Sequence, residues 1–332
     1  MNSRALLLVT CLTLVLFCAF AIGAEPQKNP QLTSDKSNLQ SDLSSLRHRA
    51  DNGDGEAEYQ LGKSYMRGTG VPQNYSEAAK YLRQAADQDL PNAEFALGYL
   101  YEQGKGVSRD YKQAVAYYTA AARKGHPTAE NNLGSMYEYG RGMRKNLHQA
   151  ENWYRMAAEH GEVTAQCNLA TLYFRGKGVA ANYSRAAEWF RKAAESGYAP
   201  AQENLAWMYF TGTGVFLDYS KAAQWVQMAA GQGYARAQLD LGYLYEEGKG
   251  VSLNYVTAYM WYSAAASGGE ERAASRLKDL SAVMTKEQIS QANAAAEHLS
   301  KSLPRVDGEA ESQSIGSSFM GARYRSQFER EM

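Results

Sequence analysis

From residue 57 onward the apolar positions of the chain fall into a fixed frame. Ala57, Ala93, Ala129, Ala165, Ala201 and Ala237 stand 36 residues apart with no insertion between them. Four residues after each comes a leucine (Leu61, Leu97, Leu133, Leu169, Leu205, Leu241), and eight after each a tyrosine (Tyr65, Tyr101, Tyr137, Tyr173, Tyr209, Tyr245). Apolar residues at i, i+4 and i+8 line one side of a helix, so each unit carries a helix A. The residue after each leucine is small: Gly62, Gly98, Gly134, Ala170, Ala206 and Gly242. Glycine inside a helix costs about 1 kcal/mol relative to alanine. Small residues in all six units therefore predict that a second helix crosses there too closely for a larger side chain.

A Gly-x-Gly turn follows each helix A, from Gly68/Gly70 to Gly248/Gly250. Glycine-rich turns before helices can cradle phosphate, but no strand pattern precedes these and no Lys-Ser/Thr pair follows, so they are read as exits from helix A through positive φ. Asn74, Asp110, Asn146, Asn182, Asp218 and Asn254 then stand where a helix B must begin, and all six can accept from its free N–H groups, each cap contributing about 1 kcal/mol. Helix B carries Ala78/Tyr81, Ala114/Tyr117, Ala150/Trp153, Ala186/Trp189, Ala222/Trp225 and Ala258/Trp261, and closes on an alanine pair. Gly125, Gly161, Gly197, Gly233 and Gly269 end the last five units. Asp89 takes that place in the first, and aspartate can also visit the left-handed region.

The pattern A-x-x-x-L-G-x-x-Y-x-x-G-x-G-V-x-x-[ND]-Y-x-x-A-x-x-[YW] resembles the Sel-one-like repeat (SLR) family, related to tetratricopeptide repeats. It covers about Ala57 to Gly269, with mild departures at Met143, Leu147, Ala170 and Ala206. The resemblance implies an all-α fold, a right-handed α-α superhelix (solenoid) of six 36-residue helix-turn-helix repeats, and a role in assembling protein complexes. The expected units are 57–92, 93–128, 129–164, 165–200, 201–236 and 237–269. A solenoid needs shielded ends. Residues 38–56 are expected to hold an N-terminal helical cap, with Leu39–Ala50 as its helix. Residues 270–303 are expected to hold C-terminal capping helices, the last opened by a capping box at Thr285–Gln288. Residues 304–332 read as a disordered tail and 25–37 as a flexible leader.

Residues 1–24 read as a signal peptide: Arg4, an apolar stretch over 5–24, then small residues before Glu25. That implies an exported protein, periplasmic or secreted; an uncleaved inner-membrane anchor is the alternative, since about 20 apolar residues can span a bilayer. Phe17 before Cys18 does not suit lipidation. Cleavage would leave Cys167 alone, with no disulfide framework.

Lys+Arg and Asp+Glu are both 35, and this zero net charge argues against a nucleic-acid partner and equally against a polybasic membrane-surface protein, so a membrane is expected only if the N-terminal segment stays uncleaved. His48, His126, His148, His160 and His298 show no ligand spacing, so no metal or cofactor is expected. His160 is read as a C-terminal cation suiting the helix dipole. Ser275-Arg-Leu-Lys278 matches the Ser-x-x-Lys string of penicillin-recognising enzymes without its companion motifs. Cysteine-rich members of the resembled family have been linked to β-lactam binding, but their paired cysteines are absent. A β-lactam- or peptidoglycan-acting protein stays open as an alternative, as does a eukaryotic lumenal quality-control adaptor, to which the sequons at Asn74 and Asn182 would speak.

The expected function is non-catalytic: a monomeric scaffold gripping a protein or peptide partner on a concave face lined by the A helices. Helix-A positions outside the Ala-Leu-Gly-Tyr core give Tyr59, Phe95, Tyr99, Asn131, Tyr139, Phe174, Arg175, Trp207, Phe210, Leu239 and Tyr243, bordered by Glu102, Glu138, Glu203, Glu246 and Glu247. On this reading Trp207 and Phe210 are surface anchors, and Trp153 is a core residue.

Overall fold

The computed structural model describes residues 43–176 and 178–304. The expected signal peptide, leader and residues 305–332 lie outside the described residues. Residues 43–51 are helical (α1), and six helix pairs follow: α2 (Gly55–Arg67) with α3 (Tyr75–Ala86), α4 (Pro91–Gln103) with α5 (Tyr111–Arg123), and α6 (Pro127–Tyr139) with α7 (Leu147–Glu159). The series continues with α8 (Val163–Arg175) and α9 (Tyr183–Glu195), α10 (Ala199–Thr211) and α11 (Tyr219–Gly231), and α12 (Ala235–Glu247) and α13 (Tyr255–Ser267). Two further helices, α14 (Glu271–Ser281) and α15 (Lys286–Ser302), both pack on α13. There is no strand among the described residues, and each repeat helix packs chiefly on its neighbours in sequence. This is an all-α solenoid.

The local signals behave as their chemistry requires. Each A helix begins two residues ahead of its ladder alanine. All six Asn/Asp residues cap their B helices, the side chain accepting from backbone N–H groups two or three residues on. Their own N–H groups donate back to the carbonyls of the ladder tyrosines, from Asn74 on Tyr65 at 2.9 Å to Asn254 on Tyr245 at 2.9 Å. One residue thus closes the loop and starts the helix. Asp89 sits at φ +64°, the one non-glycine residue at positive φ among those described. Thr285 and Gln288 form the reciprocal capping box that opens α15.

The ladder alanines and leucines are the core, each essentially without exposed surface. Opposite the glycine of helix A stands a large, fully buried side chain of helix B. A Cβ on Gly98 would come within 2.8 Å of the Tyr118 ring, and one on Gly134 within 2.7 Å of Tyr154. The series of B-helix residues is Leu82, Tyr118, Tyr154, Phe190, Val226 and Tyr262, all at most 2% exposed. Trp153, expected in the core, is only half-buried, as are Tyr81, Tyr117, Trp189 and Trp225. Adjacent positions on a helix lie about 100° apart, and the glycine admits the one that points straight at it. Trp153 is instead left at the edge of the interface.

The buried tyrosines keep their hydroxyls satisfied. Tyr118 donates to Glu102 at 2.7 Å, Tyr154 to Glu138 at 2.9 Å, and Tyr262 to Glu246. Burial first, then the neighbouring carboxylate, pushes all three phenols well above the ordinary tyrosine range, so they remain donors. Where helix B carries Phe190 or Val226, which have no hydroxyl, helix A carries Phe174 or Phe210 in place of the glutamate and alanine in place of the glycine.

A second polar row runs beside the ladder alanines. Glu58, Glu94, Glu130, Gln166, Gln202 and Gln238 are all buried. Four meet a partner 30 residues on: Gln88 donates to Glu58 at 2.9 Å, Lys124 to Glu94 at 2.7 Å, Gln232 to Gln202 at 2.9 Å, and His160 Nδ1 lies 2.8 Å from Glu130. Gln166, Gln202 and Gln238 also donate to the carbonyls of Ala158, Ala194 and Ala230. His160 therefore ties the end of helix B to the start of helix A within the third unit, a role beyond that of a helix-end cation.

Tyr154→Ala is expected to lower stability by about 3–5 kcal/mol and Trp153→Ala by clearly less. Chemical denaturation followed by circular dichroism checks the order; equal losses would contradict the packing described.

Candidate partner-binding face

Opposite the ladder, each A helix presents a stripe two, six and ten residues after its alanine, one face at helical spacing. In the first three units this stripe reads Tyr59-Lys63-Arg67, Phe95-Tyr99-Gln103 and Asn131-Ser135-Tyr139; in the last three, Cys167-Thr171-Arg175, Glu203-Trp207-Thr211 and Leu239-Tyr243-Glu247. All of the candidate residues except Phe174 and Phe210 fall on it.

The structure divides them. Tyr59, Phe95, Tyr99 and Arg175 are half-buried, and Tyr139 is 39% exposed. Asn131, Phe174, Trp207, Phe210, Leu239 and Tyr243 are buried and leave the candidate surface. Phe174 packs edge-on against Trp207 at 5.4 Å between ring centres, and Phe210 meets Tyr243 at 6.4 Å, so the residue nine after one alanine wedges against the residue six after the next. In the second and third units that wedge position holds Glu102 or Glu138, drawn instead to a tyrosine hydroxyl of helix B. Glu246 is held in the same way, and Glu203 pairs with Arg236 at 2.9 Å while almost wholly buried. Glu247 is exposed. At the positions two and six after the alanine, the stripe is open in the first three units, Asn131 apart, and closed in the last three.

Along the open part, each of three tyrosines carries a cation over its ring: Lys63 on Tyr59 at 5.9 Å, Lys105 on Tyr99 at 5.5 Å and Arg141 on Tyr139 at 5.5 Å. Such pairs hold the rings in fixed orientation while leaving an amphipathic surface. Phe95 is stacked on His126 at 4.6 Å. His126 is also the N-cap of α6, its Nδ1 accepting from the Ala129 N–H at 3.2 Å. Burial lowers its pKa below the ordinary histidine value.

Among the described residues no three His, Cys, Asp or Glu side chains are grouped to hold a metal ion, and no helix is long and apolar enough to cross a membrane. Ser275 and Lys278 are both exposed on α14. Cys167 is buried, and burial pushes its thiol up to about 12.

Two outcomes follow. Trp207→Ala with Phe210→Ala is expected to lower the melting temperature markedly, each aromatic truncation costing about 3–5 kcal/mol; an unchanged melt would return both residues to the surface. For His126 the folded pKa lies below the unfolded one, so the unfolded chain binds the proton first. Stability should then fall as pH drops below about 6.5, the ordinary histidine value. His126→Asn, which keeps the cap without the titration, should flatten this part of the melting-temperature profile; a profile identical to that of the parent would refute the assignment.

A family model described as Sel1 repeat matches six times in direct succession, at residues 55–90, 91–126, 127–162, 163–198, 199–234 and 235–270. Among solved structures, the chain is similar to a protective antigen present in uropathogenic Escherichia coli strains that displays an SLR fold. The two are 35% identical with a TM-score of 0.71 over 78% of this chain, which spans only 57% of the antigen. It is also similar to a Sel1 repeat protein from Oxalobacter formigenes, at 31% identity and a TM-score of 0.63 over 71% of this chain and 94% of that one. A search of curated proteins found no match. Six consecutive matches over more than half of its length, on helix pairs that pack in series, place this chain in the Sel1 repeat family.

Proposed function

We propose that the chain is an exported, non-catalytic scaffold that grips a protein or peptide partner across the A helices of its first three repeats. Sel1 repeats in general mediate protein–protein contact, and the observation that carries the reading here is the diagonal of Tyr59, Tyr99 and Tyr139. The three stand two, six and ten residues after successive ladder alanines, on the stripe that the last three repeats seal. Aromatic side chains held in place by neighbouring cations lose little freedom on binding, which suits them as anchors. The flanking Lys63, Lys105 and Arg141 favour a partner segment carrying carboxylates between its apolar residues.

The sealed half supplies stiffness. With Phe174, Trp207 and Phe210 locked between units, the last three repeats form a rigid base from which the open stripe is presented. Export to the bacterial envelope or beyond it belongs to the same proposal and rests on the apolar stretch at residues 5–24 and the small residues after it.

A photo-crosslinking residue placed at Tyr99 or Tyr139 should give discrete adducts in the native envelope, and one placed at the exposed Lys80 or Gln84 of helix α3 should not. Tyr99→Ala with Tyr139→Ala should weaken partner capture at least tenfold, about 1.4 kcal/mol, with an unchanged melt. Adducts of equal yield from both faces would defeat the assignment.

A further inference from the structure

The loops that join helix A to helix B stack into a continuous row along one edge of the solenoid. The second glycine of each loop lies against the start of helix B in the preceding unit: Gly142 on Tyr111, Gly178 on Leu147, Gly214 on Tyr183 and Gly250 on Tyr219. A Cβ at any of these would collide with that turn. The loops are therefore neighbours in space, and their side chains form one surface.

That surface has two unusual properties. At its C-terminal end large apolar side chains stand in solvent: Phe216 is 95% exposed, Leu253 57%, Leu217 55% and Tyr183 43%. Single exposed leucines are ordinary, but a phenylalanine with no neighbour against it, beside two leucines and a tyrosine on adjoining loops, is not. Toward the middle the edge turns cationic. Arg109, Arg144 and Lys145 are exposed in the loops, and Lys112 and Arg185 in the first turns of the B helices, while Lys221 pairs with Asp218 at 3.4 Å. Helix N-termini favour acids, yet α5, α7, α9 and α11 have no acidic residue in the first turn. The loop acids Asp110 and Asp218 are taken up as N-caps. In a chain whose net charge is zero, this is a local excess set against the helix dipoles.

We propose that this edge docks on the surface of an anionic phospholipid bilayer, with Phe216, Leu217 and Leu253 entering the headgroup layer and the basic loops lying over the lipid phosphates. The choice of lipid over protein follows from the form of the surface. A side chain 95% exposed has no wall beside it and makes no pocket for a partner's residue, whereas a bilayer interface receives protruding apolar tips without one. Cations beside the insertion point add about tenfold or less each in partition onto anionic lipid.

Co-sedimentation of the full chain with vesicles of phosphatidylcholine alone, or mixed with phosphatidylglycerol, tests this. The apolar stretch at residues 5–24 would enter both vesicle types alike, so the readout is the excess on anionic vesicles. The parent should show such an excess, weakened by salt. Phe216→Ser with Leu217→Ser, and separately Arg144→Glu with Lys145→Glu, should each reduce it roughly tenfold or more with an unchanged melt. Equal partition into both vesicle types, or variants that match the parent, would overturn the proposal. It would also fall if the same variants lost a soluble acidic protein while the parent ignored vesicles.

Discussion

The fold depends on how closely helix A and helix B approach within each repeat. That distance is fixed where a small residue of A meets a larger residue of B, and in the last five units the chemistry around the contact is matched. Glycine faces Tyr118, Tyr154 and Tyr262, and each hydroxyl reaches a glutamate at the end of helix A. Alanine stands in the units of Phe190 and Val226, where the glutamate gives way to Phe174 and Phe210. A buried hydroxyl without an acceptor costs about 1–3 kcal/mol, so the three positions are constrained together.

This match within a repeat sets the surface between repeats. Glu102 and Glu138 at the wedge position turn toward helix B, and Phe95, Tyr99 and Tyr139 of their units keep exposed surface; Glu246 turns the same way, but Leu239 and Tyr243 of its unit are buried. A phenylalanine there turns to the next A helix and closes the stripe. A phenylalanine such as Phe174 or Phe210, matched to helix B inside one unit, therefore covers the stripe of the unit after it. The result is a rod with an open half and a sealed half built from the same repeat, and this asymmetry supports a partner site confined to the first three units.

Much of this was legible in the residues. The alanine ladder, the Asn/Asp caps, the left-handed Asp89 and the Thr285 capping box each act through contacts a few residues away, and sequence spacing reports such contacts directly. Trp153 and Trp207 were misplaced because their environments are set by other segments. Trp153 and Tyr154 are adjacent aromatics on one helix, and only the position of Gly134 on the partner helix decides which enters the core. Trp207 is buried by Phe174 of the preceding unit, and the separation of successive A helices is not written in any single repeat. One signal stands in the sequence: the small residue, the B-helix residue and the wedge residue change together across the last five units, while the first keeps Gly62 with Leu82 and Met66. The buried Glu/Gln row beside the ladder, with partners 30 residues on, was equally visible as a repeating pair but has no apolar periodicity to draw attention to it.

The most direct measurement is a double-mutant cycle on Tyr154 and Glu138, with Tyr154→Phe, Glu138→Phe and the pair together, the last reproducing two of the three matched residues of the fourth repeat, Phe190 and Phe174. Each single change should cost about 1–3 kcal/mol in chemical denaturation, and the double should cost less than the sum by about 1 kcal/mol or more. Strictly additive losses would contradict the account, because they would mean that the B-helix residue and the wedge residue are not chosen together.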